Sequence, residues 1–236
     1  MKTWLVAALV AVALLALPGV ARAEPVRILV AASHARGADG ELPLRHAGED
    51  ADHVRDVLVS LGGVAPATTL RLVDPTVAQL VAALDRARAL SAQHGPAEVT
   101  FLFYFSGHGD RERIHLGAES IPMTELVERV RAVPAALRIL VTDACRNDPV
   151  RTKGLEAEPA FALSGQPSAA DGVVWLSASE TGEAAQESDE LAGALFTHYW
   201  VSGLRGAADG NGDGRVTLAE SYDFAYSQTL RSENIR

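Results

Sequence analysis

The sequence predicts an α/β protein built on a mainly parallel sheet. Three observations carry this. Apolar runs rich in β-branched and aromatic residues alternate with segments of helical period. Two of those runs, 99–105 and 137–142, lack the polar alternation of a half-solvated strand and suit strands buried on both faces. A composition of 48% hydrophobic and 22% charged residues over 236 positions fits one globular domain. In chain order, the first strand is read at 26–32. Over 47–61, Ala47, Ala51, Val54, Val57, Leu58 and Leu61 share one helical face, and Gly62-Gly63 stops the helix. A strand at 69–73 follows. Asp74-Pro75-Thr76 then offers a capping acid and an N1 proline before the helical pattern Val77, Leu80, Val81, Leu84, Ala87, Leu90. Beyond the central strand at 99–105 come a short strand at 113–116, a helix at 123–133 with Pro134 behind it, the second central strand at 137–142, and a strand at 173–177 that closes the sheet. The intervening 147–171 holds Pro149, Gly154, Pro159, Gly165 and Pro167 with no sustained period. It reads as a long exposed loop joining two segments of the domain, of a length that is usually functional or mobile. A helix at 194–204, an acidic loop at 209–220 and a last helical segment end the chain.

Residues 1–23 have the three parts of a secretory signal: Lys2, an apolar run over 4–17, and the small-x-small exit Ala21-Arg22-Ala23. The run is too short to span a bilayer, and the leader holds no Cys for a lipid anchor. The expectation is therefore export to the periplasm or the extracellular space, as a domain over 24–236 without a stable membrane anchor. Losing the leader removes Lys2 and Arg22 but no acid, so the net charge goes from −9 to −11. That excess disfavours a nucleic-acid partner. Cys145 is the only cysteine, which excludes an internal disulfide and leaves an exported protein with a free thiol to account for. No feature of the sequence sets an oligomeric state.

Two strands run into polar residues unsuited to a core. Phe101-Leu102-Phe103-Tyr104-Phe105 leads into Ser106-Gly107-His108-Gly109-Asp110, and Leu137-Arg138-Ile139-Leu140-Val141 leads into Thr142-Asp143-Ala144-Cys145-Arg146-Asn147. In open parallel sheets, chemistry gathers at the carboxyl ends of strands, so His108 and Cys145 are expected to face one crevice. Glycines on both sides of His108 let the backbone approach a substrate, and Gly109 can offer its N–H to a developing oxyanion. A buried, inert Cys and a loop His are the ordinary alternative. Against it, the only thiol and the only Gly-flanked His each end a buried strand. His34, His46, His53, His94, His115 and His198 lack such a setting, and most of them are expected at the surface.

Ser-Gly-His-Gly after an aromatic strand, with Asp-Ala-Cys-Arg about forty residues on, resembles the caspase-like clan of cysteine peptidases, most closely the bacterial branch related to metacaspases and orthocaspases. The resemblance covers most of the mature chain, from Val26 through the helix after the acidic loop. It implies a caspase-hemoglobinase fold, Cys145 as nucleophile, His108 as general base and acid, and the N–H groups of Cys145 and Gly109 as the oxyanion hole. The chemistry agrees, since an imidazole raises the thiolate fraction and a thiolate attacks a peptide carbonyl. No third residue orienting His108 is visible in the sequence. The chain departs from the pattern at Arg146-Asn147, where metacaspases often carry His-Ser.

Asp50 falls between Ala47 and Val54 on the apolar stripe of its helix, whereas Asp52 and Asp56 fall on the opposite face. An acid on the buried side needs a partner or a purpose. A salt bridge or helix-start cap and a place in a ligand pocket stay equally open on geometry. The resemblance implies the pocket: an acid in the corresponding Asp-Ala pair and the acid two before the Cys, here Asp50 and Asp143, line the site for the side chain preceding the scissile bond (P1). Two carboxylates there favour Arg or Lys and disfavour Asp. Trp175 and 177–180 are read either as a wall of the cleft or as an ordinary strand end.

The acidic loop Asp209-Gly-Asn211-Gly-Asp213-Gly214-Arg215-Val-Thr217-Leu-Ala-Glu220 has the twelve-position pattern of an EF-hand calcium loop. Asp209, Asn211, Asp213, Thr217 and Glu220 supply side-chain oxygens and Arg215 a backbone carbonyl. Calcium is thus the expected cofactor, and a turn that binds nothing is the alternative. The sequence as a whole points to an exported cysteine endopeptidase acting on peptides or proteins after Arg or Lys. A catalytically silent caspase-fold binding module and a calcium-binding structural protein are the competing readings.

Overall fold

In chain order the regular elements are β1 (Val26–His34), α1 (Ala47–Ser60), β2 (Thr69–Val73), α2 (Val77–Ser91), β3 (Val99–Gly109), β4 (Arg113–Leu116), β5 (Glu119–Pro122), α3 (Met123–Arg131), β6 (Leu137–Arg146), β7 (Val173–Ser177), β8 (Glu187–Ser188), β9 (Gly193–Ala194), α4 (Leu195–Ser202) and α5 (Leu218–Glu233). The computed structural model describes residues 25–37, 41–110, 112–146, 172–177, 187–188 and 193–233, with backbone alone at 145, 146, 187, 188 and 233. The expected leader at 1–23 and the loop at 147–171 lie outside the described residues.

Five strands pair in parallel in the order β2-β1-β3-β6-β7. Chain direction across the sheet reverses between β1 and β3, the doubly wound arrangement that opens a crevice at the carboxyl edge. The antiparallel hairpin of β4 and β5 joins the sheet only at that edge, where Gly109 pairs with Ile114. Side chains alternate across the sheet, so each central strand feeds two cores. Ile28, Val30, Phe101, Phe103, Phe105 and Leu140 meet Leu80 and Leu84 of α2 and Leu126 and Val130 of α3. Leu29, Ala31, Leu102, Tyr104, Ile139 and Val141 meet α1, α4 and α5 through Val54, Phe196, Trp200 and Tyr222. Both faces are covered, which explains why the central runs are apolar throughout.

The mainly parallel sheet flanked by helices is the fold class expected. The details differ in physically instructive ways. β3 and β6 continue to Gly109 and Arg146, well past the apolar runs, because β1 pairs with β3 as far as Gly107 and β6 as far as Gly109, supplying ladder partners for its polar end. β5 completes a hairpin of which only the first strand was expected, and β8 and β9 make a two-stranded ribbon that no apolar run announces. The helix expected at 123–133 ends at Arg131. The one expected at 194–204 starts at Leu195 and passes after Ser202 into a π-helical turn, Gly203–Ala207, where Gly206 takes φ 113°. Asp74 does not cap α2. Thr76 does, accepting from the Gln79 amide while the Gln79 side chain accepts from the Thr76 amide. Asp74 instead takes φ 44° and accepts from the amide of Ala35 at 2.8 Å, tying the end of β2 to the exit of β1.

Candidate active site at the carboxyl ends of β3 and β6

His108 and Cys145 are register partners on adjacent parallel strands. Neighbouring strands run about 4.8 Å apart, so the sheet itself brings the two backbones side by side. His108 is buried, with 5% of its surface exposed. The glycines around it also have a packing role. A Cβ on Gly107 would stand 2.5 Å from a ring carbon of Phe105 and 3.0 Å from the carbonyl oxygen of His34. One on Gly109 would stand 3.0 Å from the carbonyl oxygen of Arg113. Glycine at both positions lets β1 and the β4 hairpin close on the strand that carries His108. The amides of Gly109 and Cys145 both sit at this edge, on neighbouring strands.

Beneath the pair lies a buried polar cluster. Asp50, 1% exposed, leaves α1 to accept from Ser106 Oγ at 3.1 Å and from the Ala194 amide at 3.1 Å. Asp143, 3% exposed, is the register partner of Ser106 and accepts from Thr197 Oγ1 at 2.6 Å and from the Thr197 amide at 3.3 Å. The two acids expected to share a pocket meet in one cluster, and each is fastened to the segment 194–197, which runs from the last residue of the ribbon into α4. Tyr104 completes it, its hydroxyl 2.6 Å from Thr197 Oγ1. Burial first, then the charges of Asp50 and Asp143, push the Tyr104 phenol well above its ordinary range, so it stays protonated. Thr197 donates its one hydroxyl proton to Asp143 and so accepts from the Tyr104 hydroxyl. Ser106, Thr197 and Tyr104 were not singled out in the sequence; the parity of Ser106 with Tyr104 on β3 is the one signal that could have flagged them. Trp175, half-buried on β7, donates through Nε1 to Thr142 Oγ1 at 3.1 Å.

Of the remaining histidines, most of which were expected at the surface, His53, His94 and His198 are exposed, and His46 and His115 are half-buried. His34 is buried, 5% exposed, with Nδ1 2.6 Å from the carbonyl oxygen of Arg36. Around His108, Glu41 stands 3.8 Å away, and His115 bridges Glu41 to Asp110. Glu41, in a loop without periodicity, left no mark in the sequence reading.

The acidic loop is exposed. Asp209 accepts from the amides of Gly212, Asp213 and Gly214, Asn211 from that of Asp213, and Asp213 from that of Arg215. Glu220 accepts from Thr217 Oγ1 and N at the start of α5. The donors are hard oxygens of the kind calcium takes. No cluster of three His, Cys, Asp or Glu side chains arranged to hold a metal occurs among the described residues. No helix among them is long and apolar enough to cross a membrane.

The family profile for the caspase domain of peptidase C14 matches residues 31–220. No curated protein matches the chain.

Proposed function

We propose, since the chain belongs to the caspase-domain family of cysteine peptidases, that it is an active endopeptidase in which Cys145 attacks and His108 moves the proton, and that it cuts after Arg or Lys. The observation that carries this reading is the register of β3 and β6, which sets His108 beside Cys145 at the carboxyl edge. The thiol proton passes to the imidazole, and the sulfur forms a bond to the substrate carbonyl carbon. The amides of Gly109 and Cys145 are assigned to the oxyanion. His108 then returns the proton to the leaving amine as the peptide bond breaks, and water hydrolyses the thioester.

Preference for a cation at P1 is supported by Asp50 and Asp143, two buried acids within one cluster. A guanidinium would exchange with the hydrogen bonds that now hold them, whereas a P1 Asp would add a third negative charge to a buried site. We assign the chain to the metacaspase-like bacterial branch on those same two acids. The leader pattern at 1–23 supports export to the periplasm or outside the cell. Calcium is proposed at 209–220, held by Asp209, Asn211, Asp213, the Arg215 carbonyl, Thr217 and Glu220, where it would stabilise the turn into α5.

Peptide reporters test the activity. Mature protein should cleave those with Arg or Lys at P1, and Cys145→Ala or His108→Ala should reduce kcat/KM by more than about a thousandfold. Asp50→Ala and Asp143→Ala should depress cleavage of basic reporters most. Preference for P1 Asp would overturn the pocket assignment, and absence of hydrolysis would leave a binding module.

A further inference from the structure

A chain of ionisable side chains leads to His108 from the side of the loop after β1. Glu41 sets Oε2 3.8 Å from His108 Nδ1 and 3.1 Å from His115 Nδ1. His115, on β4, sets Nε2 3.2 Å from Asp110 Oδ2. The side chains of His108, His115 and Glu41 are 7%, 14% and 20% exposed, so solvent screens the contacts only in part. Burial works against ionisation of Asp110, but the amides of Glu112 and Arg113 and the imidazole of His115 outweigh it and hold that carboxyl below its ordinary value of 3.8.

The backbone reserves the place of Glu41. A Cβ on Gly37 would fall 1.9 Å from Glu41 Oε2, so only glycine there leaves the carboxylate its position. The loop is pinned at 2.8 Å between the Leu44 amide and the Ala35 carbonyl, and at 3.1 Å between the Gly117 amide and the Arg36 carbonyl.

Resting on the assignment of His108 as the base of Cys145, we propose that Glu41 is its positioning residue, braced by His115 and Asp110. An imidazole whose Nδ1–H is drawn toward Glu41 keeps its lone pair on Nε2, and the carboxylate stabilises the imidazolium that forms when the thiol gives up its proton. At 3.8 Å the contact is longer than a hydrogen bond, and it becomes ionic when the imidazole takes up the thiol proton. Among the described residues, the other titratable groups near His108 are Asp110 just after β3, His115 of the hairpin, Asp50 of α1 through Ser106, and Asp143 of β6.

Glu41→Gln keeps the shape and removes the charge. In the full mature chain, the His108 Cε1–H signal, identified by its loss in His108→Gln, gives the titration midpoint of that imidazole by NMR. Glu41→Gln should lower the midpoint by at least about half a pH unit, because the charged imidazole loses a carboxylate neighbour. It should lower kcat about tenfold on an Arg reporter with KM within about twofold, and Glu41→Asp should recover part of both. An unchanged midpoint overturns the proposal, even if kcat or the melting temperature falls, since a purely structural role would not move the titration. If wild type cleaves no reporter, the peptidase assignment fails on its own, and the His108 midpoint still decides the role of Glu41.

Discussion

His108 and Asp50 show how far a single residue can be read from its place in a period. Asp50 stood out because it broke an apolar stripe, and the structure buries it against Ser106 and the Ala194 amide. Neither a terminal cap nor solvent exposure explains its place, since N-cap position falls to His46. Glu41 could not be found that way: it sits where no period exists to break, and its neighbours His115 and Asp110 reach it only through the hairpin. The glycines flanking His108 were legible as special, and packing adds a reason that the sequence did not carry. Gly107→Ala should lower stability by about 2 kcal/mol, because Phe105 and the backbone of β1 leave no room for a methyl group. Gly48→Ala, near the start of α1 with no atom within 4 Å of the added methyl, should be neutral or stabilise by about 0.5 kcal/mol. Urea midpoints of the two variants check this. Equal midpoints would show that the strand end carrying His108 is looser than its geometry requires.

At the scale of elements, the strands and helices whose periods run longest were legible, and their ends were not. β3 and β6 were expected to stop where the aromatic and aliphatic runs stop. They continue through Ser-Gly-His-Gly and Asp-Ala-Cys-Arg because neighbours on the sheet supply hydrogen-bond partners that local composition cannot reveal. The proposed pair His108 and Cys145 thus sits on ladder positions and not on free loops, and rigid elements hold chemistry more accurately. The start of α2 differs from the expectation: Thr76, and not Asp74, accepts from the Gln79 amide. Thr76→Ala should cost about 1 kcal/mol by removing the side-chain acceptor for the Gln79 amide. Thermal unfolding measures it, and no loss of stability would mean that water replaces the cap at no cost.

For the whole molecule, the fold class followed from alternating apolar and helical runs, and the family match over residues 31–220 agrees with it. The ribbon of β8 and β9 was not legible, since two-residue strands carry no period, yet it leads directly into the segment that fastens Asp50 and Asp143. The proposed calcium loop bears on stability. A ligand that binds the native state alone raises the melting temperature once its concentration exceeds its Kd. Millimolar calcium should therefore raise the melting temperature of wild type, and Glu220→Gln should lose most of that rise; no response in wild type removes calcium from the account.

The central claim is that His108 and Cys145 work as one catalytic pair. Its most direct measurement is the rate at which a peptide electrophile carrying Arg at P1 labels Cys145, followed by mass spectrometry in wild type and in His108→Ala. Labelling is expected to be saturable, with one adduct per chain on Cys145, and at least about a hundredfold faster in wild type than in His108→Ala. Slow, non-saturable labelling at the same rate in both proteins would contradict it.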